Sequence, residues 1–177
     1  MSSVPWHDER VPTVATIGVY GFDGETFVDR LRLAEVGLLL DVRQRRGVRG
    51  PDYAWANSRR LQGALATAGI AYEHHPELAP TTELRHLQYA EDDRQRVGKR
   101  SRVALAAEYV RRYTSEILDC VDLAPIVAAL PGAGAAALFC VERDPEACHR
   151  SLIAARLAER HGVEIEHLRP AGPRSAG

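Results

Sequence analysis

Apolar residues along this chain fall into two kinds of stretch. Thr13–Val19 (TVATIGV), Leu38–Val42 (LLLDV), Ile70–Glu73 (IAYE) and Ala136–Val141 (AALFCV) are short runs with few or no polar interruptions. Val163–Leu168 (VEIEHL) alternates apolar and polar residues. Near-continuous runs of this length predict strands buried on both faces, as in a parallel sheet, while the alternating run predicts a more exposed strand. Between them the apolar spacing turns helical. Phe27, Val28, Leu31 and Ala34 form one stripe behind Asp23, a capping residue. Leu61 and Leu65 face inward on a helix that starts at Asn57 or Ser58 and runs to Ala68. Further helices are expected over 83–90, 103–118, 122–130 and 145–161, and Gly37, Gly69 and Gly162 are placed to end helices.

This alternation predicts an α/β fold: a single three-layer Rossmann-like domain over residues 13–169, with a mostly parallel sheet of about five strands. Residues 1–12 read as a flexible N-terminus and 170–177, rich in Pro, Gly and Ser, as a disordered tail. No internal repeat is evident.

Open α/β sheets bind ligands at the C-terminal ends of their strands. In this chain those ends carry Gly18 and Tyr20, Asp41 and Arg43, His74 and His75, and Cys140, Glu142 and Arg143. The last strand end leads into AAALFCVERDPEACHR, residues 135–150, which packs two thiols, carboxylates, an imidazole and guanidiniums into one turn. Glu142 stands at a strand terminus, a usual place for an acid/base or nucleophilic carboxylate. Cys148, read as lying in the first turn of a helix beside His149 and Arg150, is expected to be a thiolate. The bland alternative is that Cys148 only packs. Asp41 ends an apolar strand and needs a partner there. A structural pair with Arg43 is favoured over a catalytic carboxylate or a ribose acceptor. The catalytic candidates are therefore Glu142, Cys148 and Asp41.

Charge adds a second theme. The chain has 23 Lys+Arg against 24 Asp+Glu, so bulk charge does not mark a polyanion binder. The loop after the second strand is locally basic: Arg43, Arg45, Arg46 and Arg49, with Tyr53 and Trp55 interleaved and Asn57 closing it. Arginines beside aromatics suit phosphate contact with base stacking, although most such runs are merely solvated. The expected ligand contacts are Arg43, Arg46, Arg49, Tyr53, Asn57, His74, Arg143, His149 and Arg150. Cys140, Cys148 and His149 do not follow a standard zinc spacing, so no metal is expected, and the cofactor is left unknown. Three cysteines, no signal pattern and no membrane-length apolar run lead to the expectation of a cytoplasmic protein with reduced thiols.

Thr16-Ile17-Gly18, Leu40-Asp41-Val42-Arg43, Ile70-Ala71-Tyr72-Glu73-His74 and the span Cys140 to Arg150 together resemble the bacterial family of domain of unknown function 488. Its C-x-E-x-x-x-x-C-H-R signature is matched in full, and the likeness runs from about Thr13 to Leu168. Val19-Tyr20 stand where that family often has His-Ser, and the loop after Arg43 lacks its Ser. The resemblance implies this fold and a site at the signature, and it leaves the activity open. The residues themselves lead to the expectation of a small enzyme acting on a phosphate-bearing ligand such as a nucleotide, nucleoside or nucleic acid. Glycosidic transfer or hydrolysis comes first because carboxylates serve that chemistry. A non-catalytic nucleic-acid-binding module and a thiol or metal redox protein are the competing classes.

Overall fold

The computed structural model describes residues 11–132 and 134–172. Five strands form one sheet: β1 (Thr13–Ile17), β2 (Val36–Asp41), β3 (Ala71–His74), β4 (Ala135–Phe139) and β5 (Glu164–His167). Their order is β3-β2-β4-β1-β5 and every neighbouring pair is parallel. The apolar runs of β1, β2 and β4 are therefore explained, whereas β3 is the other edge strand and its residues alternate between exposed and half-buried. β1, β2 and β4 are interior strands covered on both faces, and β5, the alternating run, is an edge.

Period-two alternation on β4 sorts the core into two layers. Ala135, Ala137 and Phe139 pack with α1 (Gly24–Leu33) and α2 (Ser58–Thr67) through Phe27, Leu31, Leu61 and Leu65. Ala136, Leu138 and Cys140 pack with Leu84 of α3 (Thr82–Gln95), Tyr109 and Tyr113 of α4 (Ala107–Tyr113), Ile126 of α5 (Ala124–Ala128) and Ile153 and Leu157 of α6 (Arg150–His161). The chain leaves β1 and β2 toward one face of the sheet and β3 and β4 toward the other. β4 lies between β1 and β2, so the topological switch falls at its C-terminal end, where a crevice is expected.

Three elements differ from the sequence reading, each for a local reason. α3 is longer than the expected 83–90. Its buried stripe is Leu84, Gln88 and Asp92, and two polar members hide the amphipathic pattern. The helix expected over 103–118 starts only at Ala107, and its last turn widens into a π-helical segment, Thr114–Leu118. The helix expected from Pro145 starts at Arg150. Pro145–Ala147 form a 3₁₀ turn, and Cys148 is extended at φ −138° and ψ 142°.

The expected flexible N-terminus falls outside the described residues except for Val11 and Pro12, and the expected tail except for residues 170–172. Within that short remainder Pro170 is buried and Gly172 accepts a hydrogen bond from Arg143. Among the described residues, no helix is long and apolar enough to cross a membrane.

Candidate functional site

A cavity of about 450 Å³ opens above the C-terminal ends of β2 and β4. Its floor is Cys140, Glu142, Cys148 and His149, and its walls come from the loop after β2, from α3, and from the segment before α4. The switch point and the cavity coincide.

The floor is built by backbone geometry. Extended Cys148 and His149, which opens α6, place adjacent side chains toward one point. A helical register would have splayed them by about 100°. His149 Nε2 lies 3.0 Å from the Val42 carbonyl. A carbonyl only accepts, so Nε2 carries the proton and Nδ1 of the neutral ring is a lone pair. That Nδ1 is 3.8 Å from both Cys140 Sγ and Cys148 Sγ. The Tyr113 ring packs against the imidazole at 5.4 Å between centroids.

Electrostatics then separates the groups. Burial pushes the Cys148 thiol up. The hydrogen bond from Cys140 and the charges of Arg150 and His149 outweigh it and hold Cys148 well below the ordinary thiol value. Cys140 moves the other way, raised by that same hydrogen bond and by burial. Burial lowers His149, but the Cys148 charge and hydrogen bond, the Val42 carbonyl and the Glu142 charge together raise it. Burial, helped by Cys148, lifts Glu142 to about 7 against the opposing charge of Arg102.

Glu142 is held by a chain of polar groups that the sequence did not reveal. Arg102 Nη1 donates to Glu142 Oε1 at 3.3 Å. The same guanidinium grips the Asp92 carboxylate, with Nε at 3.0 Å and 3.1 Å from its two oxygens. Gln88 in turn donates to Asp92 at 2.9 Å and accepts from the Ala106 amide at 2.8 Å. Gln88 and Asp92 at helical spacing behind Leu84 were the available signal. Arg102 gave none, because it sits among many charges between α3 and α4.

The walls are basic. Arg43, Arg45, Arg49, Arg85, Lys99, Arg100 and Arg102 line the cavity, and among the described residues Glu142 is the one carboxylate that lines it. Arg85, Lys99 and Arg100 were not expected from sequence. The Arg100 guanidinium lies over the rings of Tyr20 and Tyr53 at 5.3 Å and 5.2 Å, and Lys99 lies 3.6 Å from the Tyr89 ring centroid.

Of the sequence candidates, the cavity gathers Glu142, Cys148, Arg43, Arg49 and His149. It does not gather Asp41, Arg46, Tyr53, Asn57, His74, Arg143 or Arg150 as lining residues. Asp41 is 0 % exposed, and its two oxygens accept from the Arg43 amide (3.1 Å), Arg43 Nε (2.9 Å), Arg43 Nη2 (2.7 Å) and the Tyr72 hydroxyl (2.7 Å). A carboxylate offers about four such sites, so none remains for a ribose hydroxyl or a reacting atom. Asp41 is the structural pair. Arg150 is also 0 % exposed, and its Nη groups donate to the carbonyls of Glu142 (2.7 Å) and Arg143 (3.1 Å). It clamps the end of β4 and does not line the cavity.

His74 donates to the Arg43 carbonyl at 2.9 Å. Asn57 accepts from the Val48 amide at 2.8 Å. Both shape the loop after β2 from behind. Trp55 packs against Phe27 at 4.8 Å between centroids, half-buried at the edge of the core and outside the cavity lining.

The family model described as Domain of unknown function DUF488 matches residues 23–157. No curated protein and no solved structure matches the chain significantly.

Proposed function

The chain belongs to the DUF488 family, and from that premise we propose that it is a small hydrolase or transferase acting on a phosphate-bearing ligand of the nucleotide or nucleic-acid-end type. One observation carries the reading. Seven cationic side chains and a single carboxylate line a cavity that sits at the topological switch point. Arg43 is neutralised by Asp41, and Arg102 by Asp92 and Glu142. Arg45, Arg49, Arg85, Lys99 and Arg100 are then left to attract an anion, and a concave basic site concentrates one. Guanidiniums suit phosphate because their planar forks match its oxygens.

The reacting end of the ligand would meet the floor. Glu142, held by Arg102, is the proton-transfer group there. Glycosidic bonds of nucleotides are the first to test. Glu142 is the one carboxylate among the described lining residues, so it would act without the second carboxylate of the usual two-carboxylate arrangement. The non-catalytic nucleic-acid reading loses support from Trp55, which is half-buried against Phe27 and does not line the cavity, and from Tyr53, which lies under Arg100 and against Tyr20.

The test is calorimetric titration with a panel of nucleoside mono-, di- and triphosphates and the parent nucleosides, followed by chromatography of the mixtures for released base or sugar phosphate. Phosphorylated ligands should bind, weaken with salt, and lose about tenfold in affinity in Arg100→Ala, the loss expected for one charge-assisted contact. Binding of nucleosides and nucleotides with equal strength, or of neither, refutes the reading.

A further inference from the structure

We infer that Cys140, Cys148 and His149 form a three-ligand site for zinc, with its fourth position open to the basic cavity. The inference goes beyond the reading of the cavity as a phosphate site and does not depend on it. Cys140 Sγ, Cys148 Sγ and a His149 ring nitrogen all lie within 4.8 Å of one another. Around a tetrahedral zinc, bond lengths of about 2.3 Å to sulfur and about 2.05 Å to nitrogen put S and N roughly 3.5 Å apart. Both thiols stand 3.8 Å from His149 Nδ1. The two sulfur–nitrogen distances need to close by only a few tenths of an ångström.

Three independent features favour a metal over chance packing. The imidazole is oriented for ligation: Nε2–H is spent on the Val42 carbonyl at 3.0 Å, which leaves the Nδ1 lone pair aimed at the two sulfurs. A histidine ligand ordinarily has its far nitrogen fixed in this way. The donors come from two rigid places, the end of β4 and the turn before α6, with the Arg150 clamp fixing the loop between them. The set is also closed on the protein side and open on one side only, since all three residues are buried yet line the cavity beside Glu142. Glu142 Oε2 is 4.0 Å from Cys140 Sγ.

Two thiolates and an imidazole select a soft or borderline cation, and a three-ligand tetrahedral set with a free position is the arrangement of catalytic zinc. The free position would take a water or a substrate oxygen between the metal and Glu142. The spacing argument missed the site because it counted residues along the chain, whereas the extended Cys148 brings a strand end and a turn together.

Cobalt(II) and zinc titrations of the reduced full-length chain test the inference. Cobalt should produce a near-ultraviolet thiolate-to-metal charge-transfer band and the visible bands of a tetrahedral ion, and zinc should displace both. Cys140→Ser and Cys148→Ser should each reduce the charge-transfer band, and Cys120→Ser, at an exposed position, should leave it unchanged. Should either serine variant fail to fold, the unaltered chain still decides: zinc should block alkylation of Cys140 and Cys148, read by mass spectrometry, and leave Cys120 reacting as before. A folded, reduced chain that gives no thiolate–cobalt band, or alkylation indifferent to zinc, overturns the inference. Nucleotide titration of the same samples reads the phosphate site separately, so one can fail while the other stands.

Discussion

Replacing Arg43 with Met asks whether the Asp41–Arg43 pair holds the fold rather than the chemistry. Arg43 is 2 % exposed and Asp41 0 %. The guanidinium makes three side-chain hydrogen bonds, two to Asp41 and one from Nη1 to the Ala56 carbonyl at 2.9 Å, and it stacks over Phe139 at 4.5 Å. Met keeps most of the stem's packing and removes the charge. Asp41 is then a buried carboxylate left with the residue 43 amide and the Tyr72 hydroxyl. Breaking one side of a buried pair costs about 3–5 kcal/mol. For a chain of this length that is a loss of roughly 6–20 °C in Tm.

Asp41→Asn should cost a similar amount, because the new amide presents a donor to a guanidinium that has only donors. The double variant removes both charges. It should recover on the order of 2–3 kcal/mol relative to the sum of the single changes, as expected of residues in direct contact. Urea unfolding followed by tryptophan fluorescence measures all three, since Trp55 sits in the same core layer. Single variants that lose under about 1 kcal/mol, or a double variant that is simply additive, would refute the pairing argument and return Asp41 to the list of chemical groups.

Two further outcomes follow from single positions. Gly18→Ala would put a Cβ 1.9 Å from the Glu142 carbonyl oxygen and 3.3 Å from an Arg150 nitrogen. Backbone cannot yield there cheaply, so the variant should lose on the order of 3 kcal/mol in urea unfolding; near-native stability would mean that the β4 end is not held as described. Tyr113→Phe removes the buried hydroxyl that donates to the Leu78 carbonyl at 2.6 Å. It should cost about 1–3 kcal/mol by leaving that carbonyl unpaired, with nucleotide binding unchanged; a neutral result would place water at the carbonyl.

The sheet was legible because its signal is composition over short windows. The apolar runs of β1, β2 and β4 and the glycines that close α2 and α6 announce themselves residue by residue, whereas Gly37, expected to end α1, falls inside β2. The site was half legible. Glu142 and Cys148, which line the cavity, stand out in the sequence because strand ends and signature residues are local features. Arg85, Arg100 and Arg102 were not, because their role depends on α3 and the following segment folding back over β4, and a charged residue in a charged stretch looks the same whether it faces water or a cavity. The same blindness worked in reverse for Arg46, Tyr53, Asn57 and His74. The sequence put them on a basic loop, and the fold turned them away from the cavity that Arg43 and Arg49 line.

The spacing of the signature has a physical reason that only the fold supplies. Cys140 lies just past β4 and shares the face of Leu138, which directs its sulfur toward α3, α4 and α6. Glu142, two residues on, keeps that direction beyond the strand and reaches the cavity. Its carbonyl lies against Gly18 and is gripped by Arg150, so the backbone is pinned at the point where the carboxylate departs. Four residues, 143–146, then carry the chain through an arginine and into a turn closed by the Ala147 amide on the Asp144 carbonyl at 3.1 Å. The turn returns Cys148 beside Cys140, with His149 between the two sulfurs. Thus Cys, Glu, Cys and His supply the groups at the floor, Arg150 fixes the backbone that carries them, and Gly18 leaves the room that backbone needs. A substitution at Gly18 or Arg150 should disturb all four groups together, whereas one at Arg100 should weaken ligand binding and leave the floor intact.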